Sequence, residues 1–92
     1  MKKIGVIGLG NMGMGIAKNL IKAGYETTGF DLRDSCIKEL VNNGGKAAES
    51  VEKVGEICDV VFVMVMNGAQ VEDVVTRLSP GLKDRGTIII TA

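Results

Sequence analysis

The sequence predicts an α/β domain with a doubly wound parallel sheet, truncated after its fifth strand. Three observations predict it. Short apolar runs alternate along the chain with stretches of helical periodicity, so strands and helices take turns and neighbouring strands run parallel. The clearest runs, at 4–8 and 60–66, are apolar without alternation, as in strands covered by helices on both faces. Between the first run and the first helical stretch lies Gly8-Leu9-Gly10-Asn11-Met12-Gly13, a turn whose glycines call for a specific backbone path.

Taken in order, the strand at 4–8 is short and continuously apolar and belongs in the middle of the sheet. From Asn11 onward, Gly13, Ile16, Ala17, Leu20, Ile21 and Gly24 recur at helical spacing while Lys18 and Lys22 point away, and Gly24 is a natural C′ residue. A second strand, 25–31, rich in Thr and aromatic residues, ends at Asp31. Asp34 or Ser35 is expected to cap the next helix, with Ile37, Leu40 and Val41 on its inner face and Asn42-Asn43-Gly44-Gly45 as its stop. Ala47-Ala48 makes a short strand, and Ser50 caps a brief helix through Val51 and Val54, with Gly55 weighing against a long one. Asp59 introduces the strand at 60–66, and Asn67-Gly68-Ala69 turns the chain into a helix with Val71, Val74, Val75 and Leu78 inward. Ser79-Pro80-Gly81 is expected to break that helix, and 87–91 is the last strand. Parallel strands with right-handed crossovers give the Rossmann plan of a dinucleotide-binding domain.

Composition bounds the function. Ninety-two residues with 46% hydrophobic content make one domain at most. The formal net charge is zero, with 11 basic and 11 acidic residues interspersed, which argues against a nucleic-acid partner. No long uninterrupted apolar stretch is present, so neither a signal peptide nor a membrane span is expected and a cytoplasmic location is. Cys36 and Cys58 lack C-x-x-C spacing and read as reduced structural thiols. The absence of His excludes a His general base or a His-containing metal site, and no metal is expected.

A glycine-rich turn leading from a buried strand into a helix is built to hold a phosphate, because the first N–H groups of the helix and its positive dipole end face the anion. Gly8 allows the tight turn, Gly10 lets a pyrophosphate approach the backbone, and Gly13 lets the helix lie close on the strand. Asp31 stands 18 residues after Gly13, close to the spacing at which a carboxylate accepts from ribose hydroxyls, and its charge favours NAD over NADP. Asp31 also suits an ordinary strand-end acid. Arg33 pulls toward NADP, since a guanidinium can grip a 2′-phosphate, although a solvated surface Arg is the simpler reading. Met64 and Met66 read first as core; Met12, inside the loop, suits either burial or contact with a ligand or partner domain. Gln70, near a helix start, is either solvated or meets the ligand. Glu49, Glu52, Glu56, Glu72 and Asp73 read as exposed helix faces without chemistry.

The loop, continued by Ala17, Asn19-Leu20 and Ala23-Gly24, resembles the opening of the β-hydroxyacid dehydrogenases, a family that includes 3-hydroxyisobutyrate dehydrogenase, tartronate semialdehyde reductase and L-threonate dehydrogenase. The likeness runs through Gly44-Gly45, the strand after Asp59, and Gln70-Val71. Met12-Gly13-Met14-Gly15, Thr28-Gly29-Phe30-Asp31-Leu32 and the stretch 65–71 are most similar to the L-threonate dehydrogenase branch. The resemblance implies an oxidoreductase that moves a hydride between NAD, with NADP as the alternative, and a small β-hydroxyacid. It implies that Gly10, Asn11 and Met12 meet the pyrophosphate, that Asp31 and Leu32 flank the adenosine ribose, and that Val65, Met66 and Gln70 border the cofactor. Met66 stands where relatives often have Pro, and Ile16 where they often have Met; both adjust pocket shape without removing a charge or donor.

The family's Gly-Gly substrate motif and catalytic Lys fall beyond Ala92, so no catalytic residue is expected within 1–92. The chain reads as an incomplete N-terminal dinucleotide-binding domain, inactive alone, of a longer enzyme with a helical substrate domain. A homo-oligomer is implied for the full-length protein. Two other classes use the same features: a stand-alone nucleotide-sensing module without catalysis, and a methyltransferase-like domain binding S-adenosylmethionine, which the Gly-Asn-Met-Gly spacing counts against.

Overall fold

The computed structural model describes residues 2–64, 68–82 and 86–91. Strands and helices alternate as β1 (Lys3–Ile7), α1 (Asn11–Lys22), β2 (Glu26–Phe30), α2 (Asp34–Asn42), β3 (Lys46–Ala47), α3 (Val51–Ile57), β4 (Val60–Val63), α4 (Gly68–Leu82) and β5 (Thr87–Ile90). All pairings are parallel, and the sheet order is β3-β2-β1-β4-β5. From β1 the chain winds outward to β2 and β3, then returns to the other side of β1 with β4 and β5. The order reverses between β1 and β4, and in such sheets a ligand crevice opens at the carboxyl ends of the strands at that reversal.

The continuous apolar character of β1 is explained by helices on both faces. Val6 points into a cluster with Leu9, Met14, Ala17 and Leu40 beneath α1 and α2, whereas Ile7 joins Val51, Val54, Val61, Val63, Val74, Leu78 and Leu82 beneath α3 and α4. Leu40 is wholly buried, and sheet and turn glycines make its socket: a Cβ at Gly29 or Gly45 would lie 2.6 or 2.7 Å from its side chain. Burying such a side chain contributes about 1.5–3 kcal/mol. β5 is an edge strand, and Ile89 and Ile90 on it are exposed.

Schellman turns close the first two helices. Gly24 N–H donates to the Ile21 carbonyl and Tyr25 N–H to Leu20, and Gly44 and Gly45 do the same to Val41 and Leu40. Gly24 thus takes the C′ position expected of it, with φ +95°. Ser50 caps α3 as expected, its Oγ accepting from Lys53 N–H at 3.1 Å.

Other expectations are corrected. Neither Asp34 nor Ser35 caps α2: Arg33 is the N-cap residue, without a side-chain cap, and Asp34 lies in the first turn, where its charge complements the dipole. Val41 is exposed, because α2 turns Leu40 toward the sheet and Val41 lies 100° further round. β3 forms one residue earlier than Ala47-Ala48, set by the pairing of Lys46 with Thr28. α3 continues through Gly55, which sits so close to α4 that a Cβ there would lie 2.5 Å from the Leu78 carbonyl oxygen.

Ser79-Pro80-Gly81 does not end α4. The helix runs to Leu82 because Pro80 forfeits a single bond to the Thr76 carbonyl, while Leu82 beyond it is buried and Gly81 abuts the backbone of Gly55 and Glu56. β4 is described as a strand to Val63; Val65, Met66 and Asn67 of the expected strand and turn lie outside the described residues.

Candidate functional site

β1 ends where Gly8 takes φ +91°, a region other residues enter only with strain. A side chain there would also strike the Met64 carbonyl oxygen, so the turn out of β1 passes hard against the end of β4. Gly8 N–H donates to the Phe30 carbonyl at 2.9 Å, tying the turn to the end of β2 as well. Gly10 is the N-cap residue of α1, with extended backbone and no side-chain cap, and no acidic residue stands in the first turn. The positive end of the helix dipole is thereby left for an external anion. Gly13 lies buried beneath, where a Cβ would meet the Gly8 carbonyl oxygen; its role is to seat the helix on the loop.

Asp31 closes β2 and leans back over this loop. One carboxylate oxygen accepts from Leu9 N–H at 2.7 Å, and the other from Arg33 N–H at 2.8 Å. The Arg33 guanidinium spans both, with Nε at 2.9 Å and Nη2 at 3.0 Å. These bonds, the guanidinium first, hold the Asp31 carboxyl down at about 2, against the push of partial burial. Asp31 is therefore charged at any physiological pH and braces the glycine loop through Leu9.

The crevice between these elements and α4 encloses about 470 Å³. Gly8, Gly10, Asp31, Leu32 and Gln70 of the expected residues line it. Leu32 is 90% exposed, an apolar lip beside Asp31. Asn11 and Met12 stand exposed at the start of α1, outside the crevice lining, and Val65 and Met66 lie outside the described residues. Met64 is half-buried, packing under α1 and also lining the crevice.

α4 supplies wall residues that the sequence did not assign to the site: Val74, expected only to face inward, and Arg77, held by Glu52 at 2.9 and 3.0 Å and by Asp73 at 3.5 Å. The i,i+4 spacing of Asp73 and Arg77 was a readable signal, whereas the pairing with Glu52 on α3 has no sequence counterpart. Glu52 and Asp73 lie on exposed helix faces as expected, and from there they hold the Arg77 side chain in the wall. Arg33 is the exposed surface residue the sequence suggested, and its side chain also pairs with Asp31.

A family model described as the NAD-binding domain of 6-phosphogluconate dehydrogenase matches residues 3–92. The chain belongs to that family of NAD-binding domains. Within it, the chain is 41% identical over 73 residues to an L-threonate dehydrogenase of Cupriavidus necator, covering 79% of this chain and 25% of that protein. It is 44% identical over 72 residues to an NAD-dependent L-serine dehydrogenase of Pseudomonas aeruginosa, covering 78% of this chain and 24% of that one. The solved 3-hydroxyisobutyrate dehydrogenase of Salmonella typhimurium superposes with a TM-score of 0.92 at 30% identity, covering 99% of this chain and 33% of that one. The resemblance to hydroxyacid dehydrogenases carried by the glycine loop is borne out, and the chain spans about a quarter to a third of the length of these relatives.

The NAD-binding domain's crevice fits such a cofactor on its own evidence. At Gly10 a Cβ would enter open crevice, meeting among the described residues only the Arg33 guanidinium at 3.7 Å, so the loop presents bare backbone to an approaching anion. No described helix is long and apolar enough to cross a membrane.

Proposed function

We propose that this chain is the cofactor-binding part of an NAD-dependent oxidoreductase acting on a small β-hydroxyacid of the 3-hydroxyisobutyrate, L-threonate or glycerate type. The observation that carries the reading is the ionised Asp31 carboxylate, hydrogen-bonded to the glycine loop and facing the crevice above an uncapped helix N-terminus. The backbone of residues 8–13 and the start of α1 hold the pyrophosphate, with Asn11 and Met12 at its outer side. Asp31 accepts from the adenosine ribose hydroxyls, Leu32 covers that sugar, and Gln70, Val65 and Met66 border the cofactor past β4. The bound cofactor supplies the hydride chemistry, and these residues fix its position.

Substrate binding and proton transfer belong to a helical domain following this one, with a Lys as general acid/base. Of the described carboxylates beside the crevice, Asp31 is paired with Arg33, and Glu52 and Asp73 with Arg77, and the chain has no His. The hydroxyacid enzyme is cytoplasmic and homo-oligomeric in this reading. The name and cofactor of the Pseudomonas aeruginosa relative, NAD-dependent L-serine dehydrogenase, support NAD as the partner of Asp31.

Calorimetric titration with NAD, NADP and S-adenosylmethionine tests the reading. NAD should bind, and Asp31→Asn should weaken it about tenfold, the worth of a charge-assisted hydrogen bond. Preference for S-adenosylmethionine would overturn the dinucleotide assignment. In a spectrophotometric assay with L-threonate, 3-hydroxyisobutyrate or glycerate, the chain alone should form no NADH; sustained turnover would overturn the division of labour.

A further inference from the structure

The α4 wall of the crevice sets polar groups beside an apolar floor. Gln70, Asp73, Val74 and Arg77 fall at i, i+3, i+4 and i+7, one stripe of the helix, and all four line the crevice. Val74 is buried there, as is Val51 at the start of α3, which lines the same space.

Arg77 offers five N–H donors in a fixed fork. Nε and Nη2 donate to the two oxygens of Glu52, at 2.9 and 3.0 Å, and this bidentate pair sets the plane of the guanidinium. Nη1 reaches Asp73 only at 3.5 Å, a long bond that leaves the carboxylate most of its acceptor capacity. A held donor, Nη1 of Arg77, therefore stands next to an acceptor, the Asp73 carboxylate. Two carboxylates around one guanidinium leave this corner net negative, so it suits no phosphate. It suits a neutral planar group with apolar faces for Val51 and Val74 and an edge that carries a donor beside an acceptor. A 6-aminopurine is such a group, because its amino group donates next to a ring nitrogen that accepts.

We propose that Asp73 and Arg77 read the adenine edge of the dinucleotide: the Asp73 carboxylate accepts from the 6-amino group and Arg77 Nη1 donates to the neighbouring ring nitrogen. The inference rests on the dinucleotide reading above. With the pyrophosphate at the glycine loop and the ribose at Asp31, the base is the part left to fill the crevice toward α4. A purine with a 6-oxo group would set its oxygen against the Asp73 carboxylate, and repulsion would replace a charge-assisted bond. The wall thus selects the base as well as covering it.

The test is calorimetric titration of wild type, Asp73→Asn and Arg77→Met with NAD and with nicotinamide hypoxanthine dinucleotide, which differs only in carrying the 6-oxo base. Far-UV circular dichroism checks folding. The Asp73 side chain is 65% exposed, so Asp73→Asn leaves the fold intact. Wild type should bind NAD about tenfold tighter than the hypoxanthine analogue. In Asp73→Asn the two should bind within about twofold of each other, because an amide can turn its NH2 to the 6-oxo group or its oxygen to the 6-amino group. Loss of α4 packing would weaken both ligands alike and leave the preference standing. Arg77→Met should bind NAD about fivefold more weakly than wild type. Equal binding of the two dinucleotides by wild type, a preference that survives Asp73→Asn, or unchanged NAD affinity in Arg77→Met overturns the base reading and leaves the dinucleotide reading intact. Folded wild type that binds neither ligand overturns both.

Discussion

Gly13→Ala and Gly15→Ala place the same methyl group on nearly opposite sides of one turn of α1 and should move stability in opposite directions. In a helix interior Ala is favoured over Gly by about 0.5–1 kcal/mol. At exposed Gly15 nothing lies within 4 Å of the added Cβ, so that gain should appear in full. At Gly13 the Cβ would fall on the Gly8 carbonyl oxygen, with the Gly8 carbonyl carbon at 3.0 Å and Met64 Cβ at 3.6 Å. The first two are backbone of a turn already pinned to β2 and β4, and cannot swing aside as the tip of a side chain would. Overpacking costs about 1–3 kcal/mol, more where backbone must move, and after the propensity gain a net loss of roughly 1–2 kcal/mol remains. The two variants should therefore differ by roughly 2–3 kcal/mol, or roughly 10–20 °C in Tm for a domain of this size. Urea and thermal unfolding followed by far-UV circular dichroism measure this directly. A Gly13→Ala protein as stable as Gly15→Ala would refute the seating of α1 on the loop. NAD affinity should fall in the first variant alone, because the Gly8 carbonyl must shift.

Other consequences follow from the packing and the charges. Leu40→Ala should cost about 2–5 kcal/mol in urea unfolding, while Val41→Ala, its exposed neighbour, should stay within about 0.5 kcal/mol of wild type; equal losses would place α2 in the wrong rotation. Burial pushes the Cys58 thiol up to about 11, so a thiol reagent at about pH 8 should label Cys58 only on unfolding, and labelling of the native chain there would contradict its burial. Asp31 titrates in the folded chain at about 2, below its ordinary 3.8. The stabilisation it contributes is thus complete above about pH 4 and lost as pH falls from there toward 2. The stability gap between wild type and Asp31→Asn should narrow over that interval, and a gap constant down to pH ~2 would contradict the pairing.

Much of the site was legible because it is made of backbone. Gly8, Gly10 and Gly13 mark a left-handed turn, a bare approach and a close seat, three demands that leave glycines at fixed spacing. Asp31 was legible for the same reason, since the strand length fixes where an acid at its end must sit. What that acid holds was not legible: its bonds to Leu9 and Arg33 depend on how β2 lies beside the loop. The cap of α2 was misplaced by the same omission, because Arg33 N–H turns back to Asp31 and starts the helix one residue before the polar side chains suggest. Pro80 shows a local rule overridden. A proline with glycine beyond it ordinarily ends a helix, but here buried Leu82 and the contact of Gly81 with α3 outweigh one lost hydrogen bond. Gly55, which by propensity shortens α3, is instead the residue that lets α3 and α4 approach.

The most direct test of the central claim, that the crevice above the glycine loop binds a dinucleotide, is amide NMR titration of the chain with NAD. The account predicts saturable shifts concentrated in residues 8–13 and 31–33, with α4 near Gln70 and Val74 moving less and the opposite end of the sheet around Asp59 unmoved. Saturable shifts confined to that opposite end, or a folded chain whose loop amides do not move at all, would contradict it.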